Sequence, residues 1–243
     1  DRVKNSQVRP NAKVFLKELE QFIKIQEEPT ISTGPYAQYK VMEEVSKHVK
    51  VVLDGQGSDE MLAGYDPYYF VYLRQLVKEK KYLKFLTEFF TSWDIVYKYT
   101  QFKMRSLGMK KEVDLEQVLN PSFTKKYSKE QFRNINDNLK LRLIDDIFYN
   151  SLPSLLRYED KNSMHFSVEG RVPFLDFNLM KYIFSLPDKA IIKNGWNKSV
   201  LRRAFSDSLP SSISKRRKKI GFITPEQEWF RNLSREIYEI LLS

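Results

Sequence analysis

Apolar residues recur at helical spacing along most of this chain. A stripe that starts after Pro10-Asn11 predicts an amphipathic helix with these apolar positions: Phe15, Leu19, Phe22 and Ile23. The dipeptide Glu28-Pro29 interrupts the pattern, and a second helix is predicted to start near Tyr36. One side of this second helix carries Val41, Met42 and Val45. The first part of the chain is therefore predicted to be two helices joined by a loop.

The best strand candidate is the run Val51-Val52-Leu53, which ends abruptly at Asp54-Gly55. Its brevity and its apolar, largely β-branched character predict a buried parallel strand. Helical patterns return after Asp66 and continue, with interruptions, to the end of the chain. Together the patterns predict a predominantly α-helical chain around one or two parallel strands.

Two later helices carry explicit start signals. Asp176 is predicted to cap a helix whose apolar positions are Leu179, Met180, Ile183 and Phe184. The last helix is predicted to have Thr224 as its N-cap, Pro225 at its first position and Gln227 closing a capping box. Its predicted buried stripe is Phe230, Leu233, Ile237 and Leu241.

Composition excludes several classes of protein. The 243 residues are 42% hydrophobic and 30% charged, which fits a soluble globular protein and not a disordered one. The longest apolar runs are far shorter than the ~20 residues that a bilayer span needs, and no signal peptide is visible. The lack of cysteine excludes disulfides and thiolate chemistry within the chain and is consistent with a reducing, cytoplasmic location. The two histidines, His48 and His165, lie too far apart in sequence to suggest a zinc site or a serine–histidine pair.

The segment from Asp54 to Glu60, Asp-Gly-Gln-Gly-Ser-Asp-Glu, follows the predicted strand and precedes a predicted helix. Its glycines would let backbone N–H groups approach phosphate oxygens, and the helix N-terminus favours an anion. Asp59 or Glu60 would then hold the magnesium ion that accompanies a nucleotide. The alternative is structural: Ser58 caps the helix, the acidic residues complement its dipole, and the glycines make a tight turn.

Two further segments mix charged and apolar residues. In the segment from Val168 to Asp176, the tripeptide Pro173-Phe174-Leu175 is expected to be buried, and Glu169 and Arg171 are expected to form a structural ion pair. The basic run from Lys215 to Lys219 leads into Ile220-Gly221-Phe222, which is expected to be packed. A lysine at that junction could stabilise charge on a triphosphate. The net charge of +10 leaves open whether the basic surface serves solubility, nucleotide phosphates or nucleic acid.

In this order, four segments resemble the synthetase domain of the glutamine-hydrolysing asparagine synthases. They are Asp54 to Glu60 with Gly64-Tyr65, then Leu156 to Met164, then Val168 to Asp176, and finally Lys219 to Phe222. The resemblance spans nearly the whole chain. It implies an α/β fold with a parallel sheet, of the adenine nucleotide alpha hydrolase-like (ATP pyrophosphatase) type.

The resemblance also implies a reaction and its cofactors, ATP and Mg²⁺. Such enzymes adenylate a carboxylate, typically the aspartate side chain, release pyrophosphate, and let ammonia displace AMP. The residues whose positions match the nucleotide and acyl-adenylate site are Asp54, Gly55, Gln56, Gly57 and Ser58. By the same correspondence Asp59 would bind magnesium, and Lys219, in preference to Lys218, would stabilise the adenylation transition state.

Tyr65 and Glu159 match a catalytic dyad of the β-lactam-forming relatives. The chain also departs from the family pattern: Gln56 stands where glutamate is usual and cannot act as a general base. Gly170 stands where alanine is commoner, which is expected to be harmless. The first phosphate loop and the glutaminase domain with its cysteine nucleophile are expected to precede residue 1. Residues 1–243 are then expected to be a partial synthetase domain that makes no asparagine by itself.

The implied partners are small molecules: aspartate, ATP and ammonia derived from glutamine. No membrane partner is expected, and a homodimer stays open, as do the carboxylate acceptor and the nitrogen donor. Three alternatives stand beside this interpretation: a related amidotransferase with another acceptor, a scaffold that has lost catalysis, and a basic nucleic-acid-binding module centred on Lys215 to Lys219. The nucleic-acid alternative ranks lower because aromatic residues do not interleave with the basic run.

Overall fold

The computed structural model describes residues 5–109, 120–127, 136–217, 221–222 and 224–242. Within these ranges, the strands are β1 (Val51–Leu53) and β2 (Glu169–Arg171). The α-helices are, in chain order, α1 (Ala12–Gln26), α2 (Gly34–Ser46), α3 (Ser58–Met61), α4 (Asp66–Lys78), α5 (Tyr82–Thr91), α6 (Trp93–Met109), α7 (Pro121–Tyr127), α8 (Leu139–Asp145), α9 (Leu152–His165), α10 (Phe177–Ser185), α11 (Asp188–Ile191), α12 (Ser199–Ala204), α13 (Ser211–Ser214), α14 (Glu226–Asn232) and α15 (Ser234–Leu242). A π-helical turn (Asp146–Asn150) and a 3₁₀ turn (Pro173–Leu175) complete the helical structure. The prediction of a mostly helical chain with one or two parallel strands is confirmed.

The chain divides into two compact units. The first lies within Asp1–Ser58, Ile147–Met180 and Arg216–Ser243, and the second within Asp59–Asp146 and Lys181–Lys215. Among the described helices, none combines the length and the apolar character that crossing a bilayer requires.

The sheet of the first unit consists of β1 and β2, paired in parallel with Val52 opposite Gly170. The predicted parallel strand is therefore confirmed, but its predicted burial is wrong, because Val51 is 42% and Leu53 is 76% exposed. Alternate residues of a strand point to opposite faces. Val51 and Leu53 therefore share one face, and only Val52 between them is half-buried.

An aromatic cluster forms the core of the first unit. It joins α1, α2 and α14 through Phe15, Phe22, Tyr36, Tyr39, Trp229 and Leu233. The ring of Phe15 meets that of Tyr36 edge-on at 4.9 Å and that of Trp229 at 5.4 Å. Such edge-on and tilted pairs are the favoured geometry for buried aromatic rings.

The predicted faces of α1 and α2 need correction at single positions. On α1, Ile23 is exposed, and the buried polar residue Gln26 takes the place expected for an apolar one. On α2, Met42 is buried as part of the inner face, but Val41 and Val45 are only half-buried. The aromatic residues Tyr36 and Tyr39 define that face instead, because their rings complete the aromatic cluster.

The end of the chain contains two helices where one was predicted. The first, α14, ends at Asn232, and α15 starts at Ser234. Residue Thr224 is not the cap, because α14 begins after Pro225 and has no side-chain cap. The carboxylate of Glu226 instead accepts hydrogen bonds from the backbone N–H (2.6 Å) and the hydroxyl (3.0 Å) of Thr33.

The predicted stripe of the last helix is right at two positions. Leu233 is buried and Ile237 packs against the aromatic cluster, whereas Phe230 is 44% exposed and Trp229 occupies the inner position. The side chain of Leu241 lies outside the described residues. Trp229 and Leu233 are four residues apart, which places them on one helix face.

The second unit is built on α4, whose residues Tyr69, Tyr72 and Leu76 pack against α8 and α11. Two buried polar side chains fix its loops. The carboxylate of Glu88 accepts backbone N–H groups from Asn194 (3.0 Å) and Gly195 (3.1 Å). The side-chain amide of Gln75 donates to the carboxylate of Asp188 at 2.8 Å and accepts the backbone N–H of Leu139 at 2.7 Å. The helix predicted after Asp176 is α10, and Asp176 caps it by accepting the N–H of Leu179 at 2.9 Å.

Candidate active site

The loop that follows β1 is shaped by its first residue. The backbone N–H of Asp54 donates to the carbonyl of Arg171 at 2.8 Å, which extends the strand pairing by one residue. The carboxylate of Asp54 accepts the N–H of Gln56 at 3.0 Å, a local bond that makes the chain turn. The N–H of Ser58 then donates to the carbonyl of Gly55 at 3.4 Å. Asp54 therefore stabilises the turn of the loop to which the family resemblance assigns nucleotide binding.

The two glycines of this loop have different roles. Gly57 has a φ of +83°, and a Cβ there would lie 2.9 Å from Leu175 Cγ and overlap its methyl group. Gly55 has open space around the position of a missing Cβ. Gly57 is therefore required by the turn and by packing, while Gly55 leaves its backbone open to a ligand.

Leu175 belongs to the tripeptide that was expected to be buried. Phe174 and Leu175 are only half-buried and Pro173 is exposed, so that prediction is wrong. The reason is that the 3₁₀ turn lies across the loop and not inside the core, with Leu175 against Gly57. The ion pair predicted between Glu169 and Arg171 is confirmed at 2.8 Å, with both side chains exposed on β2.

Glu159 on α9 is a buried carboxyl group of the first unit. It is 4% exposed, and Gln38 on α2 donates a hydrogen bond to its Oε2. Burial, followed by the adjacent Asp54 carboxylate, raises the pKa of Glu159 to about 7, while the Gln56 and Gln38 amides act in the opposite direction. Its Oε1 makes no hydrogen bond among the described residues. Asp54, Gln56 and Glu159 are thus brought together.

Gly170 leaves room for this carboxyl group. A Cβ at position 170 would lie 3.2 Å from Oε1 of Glu159, closer than ordinary van der Waals contact. The replacement of alanine by glycine, which looked harmless in the sequence, is therefore coupled to the position of Glu159. Both departures from the family pattern, at positions 56 and 170, border the same carboxyl group.

Asp59 forms an ion pair with Lys198 at 2.8 Å within the second unit. Gly64 lies directly beneath the pair: a Cβ there would overlap the Asp59 carboxylate and lie 2.6 Å from Lys198 Cε. Lys198 has a φ of +54°, which is unusual for a lysine, and its N–H donates to the carbonyl of Leu62 at 3.1 Å. Sequence reasoning missed Lys198, because its distance along the chain from Asp59 leaves no periodic signal.

Tyr65 donates its hydroxyl to Glu60 Oε1 at 2.9 Å, and Glu60 is 1% exposed. Tyr65 lies in the second unit and Glu159 in the first. The dyad inferred for these two residues from the family resemblance stays a prediction.

The basic run is described only in part. Lys215, Arg216 and Arg217 are exposed, whereas Lys218, Lys219 and Ile220 lie outside the described residues. Phe222 is 50% exposed, so the packing expected for it is wrong. Its carbonyl oxygen lies against Gly34, where a Cβ would approach it to 3.0 Å. Contact through the backbone explains how Phe222 borders α2 without burying its ring.

The family profile and the similar proteins agree on one family. The sequence profile described as asparagine synthase matches residues 2–243. The chain is 26% identical over 247 aligned residues to asparagine synthetase [glutamine-hydrolyzing] 1 of Bacillus subtilis, covering 90% of the chain and 37% of that protein. It is 28% identical to a putative asparagine synthetase [glutamine-hydrolyzing] of Mycobacterium bovis, with 91% and 37% covered. A 98-residue segment is 37% identical to the asparagine synthetase [glutamine-hydrolyzing] of Bos taurus, covering 38% of the chain and 17% of that protein. The chain thus spans little more than a third of the first two relatives.

Proposed function

Because the chain belongs to the asparagine synthase family, we propose that it carries part of the site of an ATP-dependent, amide-forming ligase. The proposed reaction joins the side-chain carboxylate of aspartate to AMP and releases pyrophosphate. Ammonia, derived from glutamine, then attacks the acyl carbon; the bond from that carbon to the AMP oxygen breaks, and asparagine forms. A soluble, cytoplasmic enzyme is part of this proposal.

The observation that carries the proposal is the loop from Asp54 to Ser58 beside Glu159. A short parallel strand enters it, a helix leaves it, and Gly55 leaves the backbone accessible. Helix N-termini that follow such loops attract phosphate groups. We assign the nucleotide and acyl-adenylate contacts to Asp54, Gly55, Gln56, Gly57 and Ser58.

The family implies Mg²⁺, and the described residues fit it in a limited way. No group of three acidic or histidine side chains suited to a metal ion occurs in the described ranges. Magnesium usually binds through one or two carboxylates together with substrate phosphates and water. Asp59 fits such a ligand, but its carboxylate is already paired with Lys198, so metal binding would compete with that ion pair. The bound ion would neutralise phosphate charge.

Glu159 is the proposed proton acceptor. Attack by ammonia leaves a proton on the new amide nitrogen, and Gln56 cannot take it. A carboxyl group with a pKa of about 7 is part ionised at neutral pH, so it can accept this proton. The family resemblance also gives Tyr65 a role in catalysis, and this role is part of the proposal.

Lys219 is proposed to stabilise negative charge on the α-phosphate during adenylation. The test is Lys219→Ala in the full-length gene product, with ATP, aspartate and ammonium chloride supplied. We expect a fall of about 100-fold or more in kcat with little change in KM for ATP. Equal losses in both constants would contradict a transition-state role. Lys215→Ala, which removes an exposed lysine of the same run, is the matched control and should leave kcat unchanged.

Product analysis tests the function itself. We expect asparagine, AMP and pyrophosphate in equal amounts, with aspartate but not glutamate as acceptor. Consumption of another carboxylate in the same assay would identify a related amidotransferase. Absence of AMP formation with every acceptor, together with salt-sensitive binding of nucleic acid, would replace the proposal by the nucleic-acid alternative.

A further inference from the structure

A chain of buried side-chain amides ends on Glu159. Gln26 Nε2 donates to Asn162 Oδ1 at 2.8 Å, and Asn162 Nδ2 donates to Gln38 Oε1 at 3.2 Å. Gln38 Nε2 then donates to Glu159 Oε2. These four side chains are at most 4% exposed and come from α1, α2 and α9. We call Gln26, Asn162 and Gln38 the amide relay.

The direction of the relay is fixed by a backbone group. Asn162 Nδ2 also donates to the carbonyl of Pro35 at 3.0 Å, and a carbonyl can only accept. The amino side of Asn162 must therefore face Pro35 and Gln38, so that Gln38 presents its oxygen to Asn162 and its own amino group to Glu159. An amide orientation is normally ambiguous, but here the network determines it.

We propose that Gln38 is a positioning residue, which holds Oε2 of Glu159 so that the other oxygen, Oε1, is presented to Asp54 and Gln56. The space for Oε1 against β2 exists because residue 170 is glycine. The relay restrains one oxygen, and Gly170 accommodates the other. This role in catalysis rests on the proposed function, whereas the orientation of Glu159 does not.

Among the residues that the structure describes, the groups that face Glu159 are mostly neutral. Within the described residues, the charged one is Asp54 after β1, and the others are Gln38 on α2, Gln56 in the loop and Gly170 of β2. Two basic residues of α9 are engaged with α1 and the loop after it. Arg157 contacts Glu28 at 3.3 Å and the carbonyl of Gln26 at 2.8 Å, and Lys161 contacts Glu27 at 2.6 Å. The hydrogen bonds that favour the carboxylate form, and so lower the pKa of Glu159, come from Gln56 and then from Gln38.

Removal of the hydrogen bond from Gln38 should raise the pKa of Glu159. A neutral donor stabilises the carboxylate more than the carboxylic acid, so its loss should raise the pKa of Glu159 above about 7. A hydrogen bond to a charged group corresponds to a shift of about one to two pH units. Gln38→Met keeps the length and the burial of the side chain but removes the donor.

The direct test is ¹³C NMR of the 243-residue chain labelled at the glutamate carboxyl carbons, with Glu159 assigned by Glu159→Gln. We expect a midpoint near 7 in the unchanged chain and an upward shift of about one to two units in Gln38→Met. The control is Gln21→Met, which replaces an exposed glutamine of α1 outside the relay and should shift nothing. An identical midpoint in Gln38→Met and the unchanged chain overturns the proposal.

A second variant keeps the proposal testable when the first one is unstable. If Gln38→Met does not fold, Gln38→Asn keeps an amide but withdraws it by one methylene, and it should produce an upward shift of its own. An unshifted midpoint in that variant also overturns the proposal. In the full-length gene product, the acidic limb of the kcat profile should move with the NMR midpoint while KM for ATP stays constant.

The exchange variant Gln38→Glu/Glu159→Gln distinguishes a role of Gln38 in positioning Glu159 from a role in stability alone. It keeps an amide–carboxylate hydrogen bond between α2 and α9 but moves the carboxylate to α2. Stability should recover relative to Gln38→Met while kcat stays low, and recovery of kcat would contradict a positioning role. An enzyme with no asparagine synthesis but with the NMR shift intact would refute the proposed function and leave the relay established.

Discussion

Alanine at position 57 should destabilise the first unit through two separable effects. Gly57 has a φ of +83°, and a residue with a Cβ in this region costs about 1–2 kcal/mol. The new Cβ would also lie 2.9 Å from Leu175 Cγ and overlap its methyl group, and overpacking of this kind costs about 1–3 kcal/mol. Gly57→Ala should therefore lower the free energy of unfolding by about 2–5 kcal/mol.

Leu175→Ala removes the side chain that the new Cβ meets. Leu175 is half-buried, so its truncation alone should cost about 1–2 kcal/mol, below the range for a fully buried leucine. In the double variant the steric effect disappears and only the backbone effect remains. The two substitutions should thus be less harmful together than their sum, with a coupling of about 1–3 kcal/mol.

Urea unfolding followed by circular dichroism and by tryptophan fluorescence measures these differences. Trp229 lies in the aromatic cluster of the first unit and reports on that unit when Trp93 and Trp196 are replaced. Gly55→Ala is the matched control, because nothing lies near its missing Cβ and its φ is not positive; its effect should stay within about 1 kcal/mol. Additive effects of Gly57→Ala and Leu175→Ala, or equal effects of the two glycine substitutions, would refute the reasoning.

Three further predictions follow from single contacts. Gly64→Ala should displace the Asp59–Lys198 ion pair and reduce the affinity for Mg²⁺–ATP in titration calorimetry about tenfold or more, and unchanged affinity would separate that pair from nucleotide binding. Glu159→Gln should raise the free energy of unfolding at about pH 8 but not at about pH 5. The pKa of the Glu159 carboxyl group is about 7 in the folded chain and 4.5 in the unfolded chain. The unchanged protein therefore loses stability as pH rises between these two values, by about 3 kcal/mol at most, and the glutamine variant does not. A pH-independent difference between the two proteins would contradict this assignment. Glu226→Gln should weaken the two hydrogen bonds accepted from the loop before α2 and lower stability by about 1–3 kcal/mol in urea unfolding; no change would show that these bonds contribute nothing.

The sequence predicted features that depend on neighbouring residues. Periodicity located α1 and α2, β-branched residues located β1, and the cap at Asp176 was right because the acceptor lies three residues from its donor. The segment that starts at Asp54 was predicted to follow a strand and precede a helix, and the structure has this order.

Long-range contacts account for what the sequence could not predict. Gln38 and Glu159 are 121 positions apart, so no periodic pattern connects them. The exposure of Leu53 depends on which elements cover the sheet, and the bonds that Glu226 accepts depend on Thr33 in another part of the chain. A buried amide such as Gln26 also looks like a surface residue until its partner is known.

The central proposal is that, in the full-length gene product, the carboxylate of aspartate attacks the α-phosphate of ATP at the loop that contains Asp54. The most direct measurement uses aspartate labelled with ¹⁸O in its side-chain carboxylate, ATP and ammonium chloride, with mass spectrometry of the nucleotide product of the full-length gene product. The account predicts AMP that carries one ¹⁸O atom, because the oxygen that bonds to phosphorus stays with it when ammonia attacks the carbon. Unlabelled AMP, or ADP with inorganic phosphate, would contradict the account.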